Sequence, residues 1–553
     1  MRNVEMKGAV AAFRTVCDHA YDEQDRFLAR ILRDNAQTEY GKKHGFAAIR
    51  NAEAYRQAVP LSTFADYDSY ITRTIGGERG LLTAEEPVFY NISAGSTGAP
   101  KYIPLCREDV RKQHRYLDMT VHGIIRDALP EYSEEELFGC VFDMGDYYLT
   151  YMPDGTMNGV RSGVSFREAQ RLGRFDASHF TAPEEVMFPG KLEDMLYPKI
   201  RFALENEHVT AIHGLFAHRA VGLFDYIARH WDRLVDDIET GSVDSGFKMS
   251  PEWRAYLEEK FKPNPQRAAQ LRALDRETLR EGMLGKIWKR LRYVRVISGN
   301  MFTVYSGKLA TYLAGIPLHS YAYAASESNI GIAPRIGVTD EYALLPDVCY
   351  FEFIPEAQIG RPKDCLTFRD AREGERYELV ITTLNGLYRY RLGDVVEVTG
   401  FLGGAPTVRV CYRKDLVISI LDERVNTAQF DDTMRVFSER TGIRATHYCV
   451  ASDHSGERPK YVLYLESGDA PRVDESEIFD RCLGENSLGY KSVRALDELD
   501  RAEVRHVETG TFERFQNLRS EKGIRMEQAK LLRVINSEEQ RQYFEAARRK
   551  ADE

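Results

Sequence analysis

Residues Ser93 to Lys101 read Ser-Ala-Gly-Ser-Thr-Gly-Ala-Pro-Lys, and these residue types suit a polyphosphate. Gly95 and Gly98 allow backbone angles and close approaches that a β-carbon would block, so successive amides can aim at phosphate oxygens. Ser93, Ser96 and Thr97 add hydroxyl donors, and Lys101 adds positive charge. The spacing is not that of a Walker loop, in which lysine directly follows the second glycine and precedes Ser or Thr. Here Lys101 stands three residues after Gly98 and is followed by Tyr102. On these residues alone, a plain turn after the hydrophobic run Val88 to Ile92 is also open.

Two further segments carry groups that a nucleotide could use. Tyr323-Ala324-Ala325-Ser326-Glu327 follows an apolar run, which puts Ser326 and Glu327 on the loop at a strand's C-terminal end, where open α/β sheets bind ligands. Mg²⁺ takes one or two carboxylate oxygens together with phosphate oxygens and water, and Glu327 is the candidate ligand. A solvated loop acid or a helix-cap partner explains Glu327 equally. Tyr388-Arg389-Tyr390-Arg391-Leu392-Gly393-Asp394 comes directly after the turn signal Asn385-Gly386. An aspartate on a tight glycine turn can accept hydrogen bonds from the vicinal hydroxyls of a ribose, and arginines beside it can neutralise phosphate. The alternative is a hairpin whose Arg and Asp side chains pair on the surface. Near the end, Gln528, Lys530 and Arg533 lie in a tail where a lone lysine ordinarily serves solubility.

The elements that must position these residues follow from periodicity. Apolar Phe27, Leu28, Ile31 and Leu32 predict an amphipathic helix over 22–35. Helical spacing recurs over 111–128, 192–207 and 218–239, and in pieces over 252–284. From Tyr293 onward, short apolar runs bounded by Gly and Pro predict buried strands over 293–297, 318–324, 350–354, 378–384 and 395–399. Beyond 417–421 the pattern predicts helices over 426–440 and 476–482 and a strand over 460–466, so a second, smaller domain is expected from near residue 425.

With 553 residues, 43% of them hydrophobic, the chain exceeds what one core usually serves, and at least two domains are expected. The net charge of -10, from 75 basic and 85 acidic residues interspersed along the chain, argues against nucleic acid as the main partner. No run of some 18 apolar residues suggests a membrane span, and no secretion signal is visible. The eight cysteines form no Cys-x-x-Cys pair, so a reduced, cytoplasmic protein is expected.

Taken in order, the three constellations resemble the adenylate-forming enzymes, and within them the Gretchen Hagen family of acyl acid amido synthetases known from plants and bacteria. The resemblance extends to Asn35-Ala36-Gln37-Thr38-Glu39-Tyr40-Gly41-Lys42, Tyr67-Asp68-Ser69-Tyr70-Ile71, Tyr350-Phe351-Glu352-Phe353-Ile354-Pro355, Gly386-Leu387 and Gly510-Thr511-Phe512, and runs from about residue 20 to about residue 535. It implies an α/β, firefly luciferase-like fold. A large N-terminal domain (1–420), with β-sheets flanked by helices, would be joined by a hinge (421–425) to a small, mobile α+β domain (426–553).

The resemblance also implies an ATP- and Mg²⁺-dependent ligase, acting as a monomer on a small carboxylic acid and an amine or amino acid. Ser93, Gly95, Ser96, Thr97, Gly98 and Lys101 would hold the triphosphate. Tyr323, Ala324 and Ser326 would line the nucleotide pocket, Glu327 would bind Mg²⁺, and Asp394 would grip the ribose. Arg424 falls in the hinge, where relatives often show lysine. Lys530 would be the adenylation lysine, with Leu532 where relatives usually have proline; Ala94 stands where serine is common. Arg111, Arg115, Met119, Tyr147, Tyr148 and Phe216 are the acyl-pocket candidates. The nearest alternative is an adenylate-forming ligase that passes the acyl group to coenzyme A or another thiol; a missing phosphopantetheine carrier domain disfavours it. A non-catalytic nucleotide binder would have no use for Lys101, Glu327, Asp394 and Lys530 together.

Overall fold

A computed structural model describes residues 2–549 apart from 95–99, 146, 148, 172, 174, 190–194, 248, 275–280, 300–305, 361, 363–364, 415–417, 419, 421–424, 457, 496–498, 522–531 and 536. The chain divides into two compact units. One comprises 1–92, 102–392 and 396–410; the other comprises 93–101, 393–395 and 411–553. The expected hinge at 421–425 falls almost wholly on residues outside the description.

The first unit holds three sheets. The strands Val141–Asp143, Ala211–Phe216, Tyr293–Ile297 and Leu318–His319 form a parallel sheet in chain order. All five residues of Tyr293–Ile297 are buried, as a parallel sheet covered on both faces requires. A seven-stranded sheet runs in the order Cys349–Pro355, Arg376–Thr383, Tyr390–Leu402, Ala405–Arg413, Tyr342–Leu344, Asn329–Ile332, Ala322–Ala324, and its described pairings are antiparallel. A further four-stranded sheet joins Pro100–Leu105, Phe89–Ala94, Met157–Gly159 and Leu149–Tyr151.

The amphipathic helix expected over 22–35 is Ala20–Asp34. It buries Phe27, Leu28, Ile31 and Leu32, and its Gln24 side chain donates to the carbonyls of Pro346 (2.7 Å) and Cys349 (2.6 Å) and accepts from Phe351 N (2.7 Å). This glutamine satisfies the edge of the strand it packs on. A further helix, Arg2–Asp18, which the sequence reading did not predict, precedes it. Met6, Val10, Phe13 and Cys17 make its buried stripe. The helix expected over 111–128 runs from Arg107–Gln113 through a π-helical segment, His114–Thr120, into Val121–Ala128. Among the described residues, no helix is long and apolar enough to cross a membrane.

The second unit has a three-stranded sheet, Ala445–Asp453 antiparallel to Lys460–Ser467, which is parallel to Glu503–Val507. Thr427–Thr441, capped by Asn426, and Glu475–Asn486 pack on it through Phe430, Phe437, Phe479 and Leu483. The Glu466 carboxylate accepts from Gly510 N (2.9 Å) and Phe512 N (3.0 Å), satisfying the N-terminus of Thr511–Glu521.

Candidate active site

In the first unit, Ala322–Ala324 and Asn329–Ile332 form an antiparallel hairpin in which Ala324 pairs with Asn329 and Ala325 N donates to Ser328 O at 2.9 Å. Ser326 and Glu327 are therefore its tip. The loop at a strand's C-terminal end was legible, and it is a hairpin turn within an antiparallel sheet, because Asn329-Ile330-Gly331-Ile332 itself extends and pairs. Glu327 is buried, and Tyr390 Oη donates to its Oε1 at 2.9 Å. Asn91, buried on Phe89–Ala94, donates through Nδ2 to Ser326 O at 2.9 Å, while among the described residues its Oδ1 has no hydrogen-bond partner. Tyr323 is buried with its ring 6.0 Å from that of Tyr342, and Ala324 is half-buried.

The Tyr388–Asp394 segment differs from expectation in two respects. The tight turn is at Asn385-Gly386, where Gly386 has φ 87° and a β-carbon would stand 2.7 Å from Leu82 Cβ. The strand already begins at Tyr390, so Asp394 lies within it and not on a turn; Gly393, at φ 83°, breaks the extended backbone just before it. The arginines are also not left for phosphate. Arg389 Nε lies 3.0 Å from Glu352 Oε2, and its Nη1 donates to Val59 O at 2.8 Å; Arg391 Nε donates to Glu378 Oε1 at 3.0 Å. Burial pushes the Glu352 carboxyl up, and Arg389 opposes that shift. Both guanidiniums thus hold the sheet together. Tyr388 stacks on Tyr40 at 4.8 Å and gives its hydroxyl proton to Leu82 O (2.6 Å), which accounts structurally for the tyrosines shared by the Tyr40, Tyr67 and Tyr388 segments.

In the second unit, Ser93 is the penultimate residue of the strand Phe89–Ala94, and Lys101 is half-buried on Pro100–Leu105. Asp394 is buried, with Arg413 Nη1 3.5 Å from its Oδ1. Gly95, Ser96, Thr97, Gly98, Arg424 and Lys530 lie outside the described residues. Arg533 is not helical. It sits in an extended stretch that pairs with the sheet, Val450 N donating to Arg533 O (2.8 Å) and Ile535 N to Val450 O (2.8 Å). Its buried guanidinium lies 4.3 Å from the Tyr448 ring and 3.7 Å from Asp431. This anchors the chain three residues after Lys530.

Of the acyl-pocket candidates, Arg111, Arg115 and Met119 share the helical run 107–128, with Arg111 exposed and the other two half-buried. Phe216 is half-buried at the end of Ala211–Phe216. Tyr147 is buried, its hydroxyl donating to Asp143 at 2.7 Å, and Tyr148 lies outside the described residues. Sequence reasoning missed Asn91 and Arg413, whose roles arise from partners 235 residues away and on the adjoining strand, respectively. Among the described residues, no group of three or more His, Cys, Asp or Glu side chains could hold a metal ion, so a bound cation would depend on few protein ligands. Glu327 fits a Mg²⁺ ligand: it is a buried carboxylate whose described hydrogen bond engages one oxygen.

Compared with known proteins, the chain matches, in order, the GH3 family N-terminal domain over residues 9–318, the GH3 family central domain over 342–413 and the GH3 family C-terminal domain over 428–539. The chain belongs to the GH3 family. GH3 relatives include a probable indole-3-acetic acid-amido synthetase, GH3.1, of Arabidopsis thaliana, 29% identical over 93% of this chain and 89% of that protein. Another is the probable indole-3-acetic acid-amido synthetase GH3.11 of Oryza sativa subsp. japonica, 28% identical over 97% and 95%. The solved GH3.15 acyl acid amido synthetase in complex with 2,4-DB superimposes with a TM-score of 0.84 at 23% identity, covering 99% of this chain and 97% of that one. The GH3 fold expected from the motifs is thus the fold observed.

Proposed function

We propose that this protein, an acid-amido synthetase by family, makes an amide in two steps from ATP, a small carboxylic acid and an amine, with an amino acid as the acceptor. The observation that carries this reading is the ordered match of all three GH3 domains across nearly the whole chain. A carboxylate oxygen attacks the α-phosphorus of ATP, the bond to the β-phosphate bridging oxygen breaks, and pyrophosphate leaves. The amine nitrogen then attacks the acyl carbon, the bond to AMP breaks, and the nitrogen gives up a proton.

Little covalent help from the protein is needed; positioning and charge neutralisation are. Ser93, Gly95, Ser96, Thr97, Gly98 and Lys101 hold the triphosphate, Tyr323, Ala324 and Ser326 line the nucleotide pocket, and Asp394, steadied by Arg413, takes the ribose hydroxyls. Glu327, with Tyr390 donating to its Oε1, would hold Mg²⁺. Mg²⁺, when bound, neutralises charge that develops on the phosphates. Lys530 stabilises the adenylation transition state, 421–425 is the hinge about which 426–553 moves between steps, and Arg424 belongs to it. Arg111, Arg115, Met119 and Phe216 contact the acid. In the described residues this reading is supported by Glu327, a buried acid with one hydrogen-bonded oxygen, and by Asn91, a buried acceptor without a partner beside Ser326.

Mass spectrometry of reactions with ATP, Mg²⁺, a panel of carboxylic acids and pooled amino acids tests this function. An ATP-dependent amide with stoichiometric AMP is expected. A thioester formed with coenzyme A in preference to any amide would contradict it.

A further inference from the structure

Across the parallel sheet, Asp143 is in register with His213, His213 with Arg295, and Arg295 with His319. Residues in register on neighbouring parallel strands project from the same face. A sheet buried on both sides ordinarily fills such a row with Val, Ile or Leu; here it holds an acid, an imidazole, a guanidinium and a second imidazole, all buried. The helical run 107–128 covers it. The His122 ring lies 5.7 Å from that of His213, and Arg295 Nη1 reaches Leu117 O at 3.2 Å and His122 Nε2 at 3.5 Å. Tyr321 lies 4.6 Å from the guanidinium.

Two members of this row are left wanting a partner. Arg295 is only 7% exposed, and among the described residues its polar contacts are a carbonyl and an imidazole, with none for Nε. Asp143 stands two strands away, about 10 Å at the usual strand spacing, and is occupied by Tyr147 Oη (2.7 Å) and Gly145 N (2.8 Å). His319 is fully buried, and among the described residues neither ring nitrogen has a hydrogen-bond partner. Burial, reinforced by Arg295, pulls its pKa down to about 3, so it is a neutral ring with one donor to offer. Asp143 acts on Arg295 through space, but a buried guanidinium with no anion in direct hydrogen-bond contact among the described residues, beside a buried ring without hydrogen bonds there, is costly unless something fills the need.

We infer that Arg295 and His319 form a receptor for a carboxylate other than the one being activated. The guanidinium fork suits a planar carboxylate, and the imidazole N–H adds a third donor. This inference rests on the amido-synthetase reading and deepens it, because such a carboxylate has two sources: the far end of a dicarboxylic acyl acid, or the α-carboxylate of the amino acid acceptor.

The test compares full-length wild type, Arg295→Met and Arg295→Lys. In acid-dependent ATP–pyrophosphate exchange, which needs no amine, a chain-length series of α,ω-dicarboxylates is run against the matching monocarboxylates. In amide formation, an amino acid is run against its decarboxylated amine. If the acid supplies the carboxylate, the dicarboxylate-to-monocarboxylate ratio of kcat/KM falls roughly tenfold to hundredfold in Arg295→Met, with Arg295→Lys between. If the amine supplies it, the same fall appears only in the amino acid-to-amine ratio. Both ratios unchanged would overturn the inference. Thermal shift gives an arm independent of catalysis: the dicarboxylate or the amino acid raises the melting temperature of wild type and not of Arg295→Met. Absence of any exchange in wild type would sink the amido-synthetase reading, while the thermal arm would still decide on Arg295.

Discussion

At the scale of single residues, the structure separates side chains that hold the fold from those left for a ligand. Arg389 and Arg391 look alike in sequence to a phosphate-binding pair, yet each is committed to a buried carboxylate, Glu352 and Glu378. Arg389→Met strands the Glu352 charge in the core, so a loss of about 3 kcal/mol or more is expected in chemical denaturation. The double variant Arg389→Met, Glu352→Leu should recover much of that loss; no recovery would show that packing, and not the charge, sets it. Glu327 is the proposed Mg²⁺ ligand. Glu327→Gln keeps the Tyr390 hydrogen bond but weakens the metal ligand, so exchange activity should fall on the order of a hundredfold and the Mg²⁺ concentration for half-activity should rise. A fall without any change in Mg²⁺ dependence would reassign Glu327 to a purely structural role.

At the scale of elements, the turn at Asn385-Gly386 sets the register of the strand that carries Tyr390 and Asp394. Gly386→Ala should cost about 2 kcal/mol, since it combines a left-handed φ with a β-carbon 2.7 Å from Leu82 Cβ. A denaturation midpoint within error of wild type would count against that tight approach. This turn was legible because Asn-Gly is a local signal, and the strand Tyr293–Ile297 was legible because a short run of aromatic and β-branched residues around a single arginine, set between polar residues, has few other uses. Helix Arg2–Asp18 was missed because its buried stripe, Met6, Val10, Phe13 and Cys17, is interleaved with charge and lacks a cap residue to announce it. The loop at Ser326-Glu327 was legible, but that it is the tip of a hairpin was not, because strand partners are not written in the local sequence. For the same reason the row Asp143, His213, Arg295 and His319 could not be seen at all: its members sit on four strands and meet only through parallel register.

At the scale of the whole molecule, each unit carries its own stabilising devices. In the second, Arg505 binds Asp453 (3.1 Å) and Glu503 (2.7 Å). Burial alone would push Asp453 up, but hydrogen bonds from Ser455 and Arg505 outweigh it and hold its pKa at about 2; hydrogen bonds from Arg505 and Lys460 hold Glu503 at about 2 as well. Folded pKa values below the ordinary 3.8 and 4.5 mean that this stabilisation is complete above about pH 4.5 and is lost as the pH falls toward about 2. The melting temperature of the full chain should therefore drop over that window, and Arg505→Met should flatten the drop; an equally steep fall in the variant would remove the network from the explanation.

The central claim is that the chain primes an acid as its adenylate with Lys530 assisting the transfer. Acid-dependent ATP–pyrophosphate exchange, measured beside ATP binding in wild type and Lys530→Ala, tests it most directly. Exchange should fall on the order of a hundredfold or more in the variant while ATP binding stays within a few-fold of wild type. Equal loss of exchange and ATP binding, or exchange in the variant at the wild-type rate, would contradict the account.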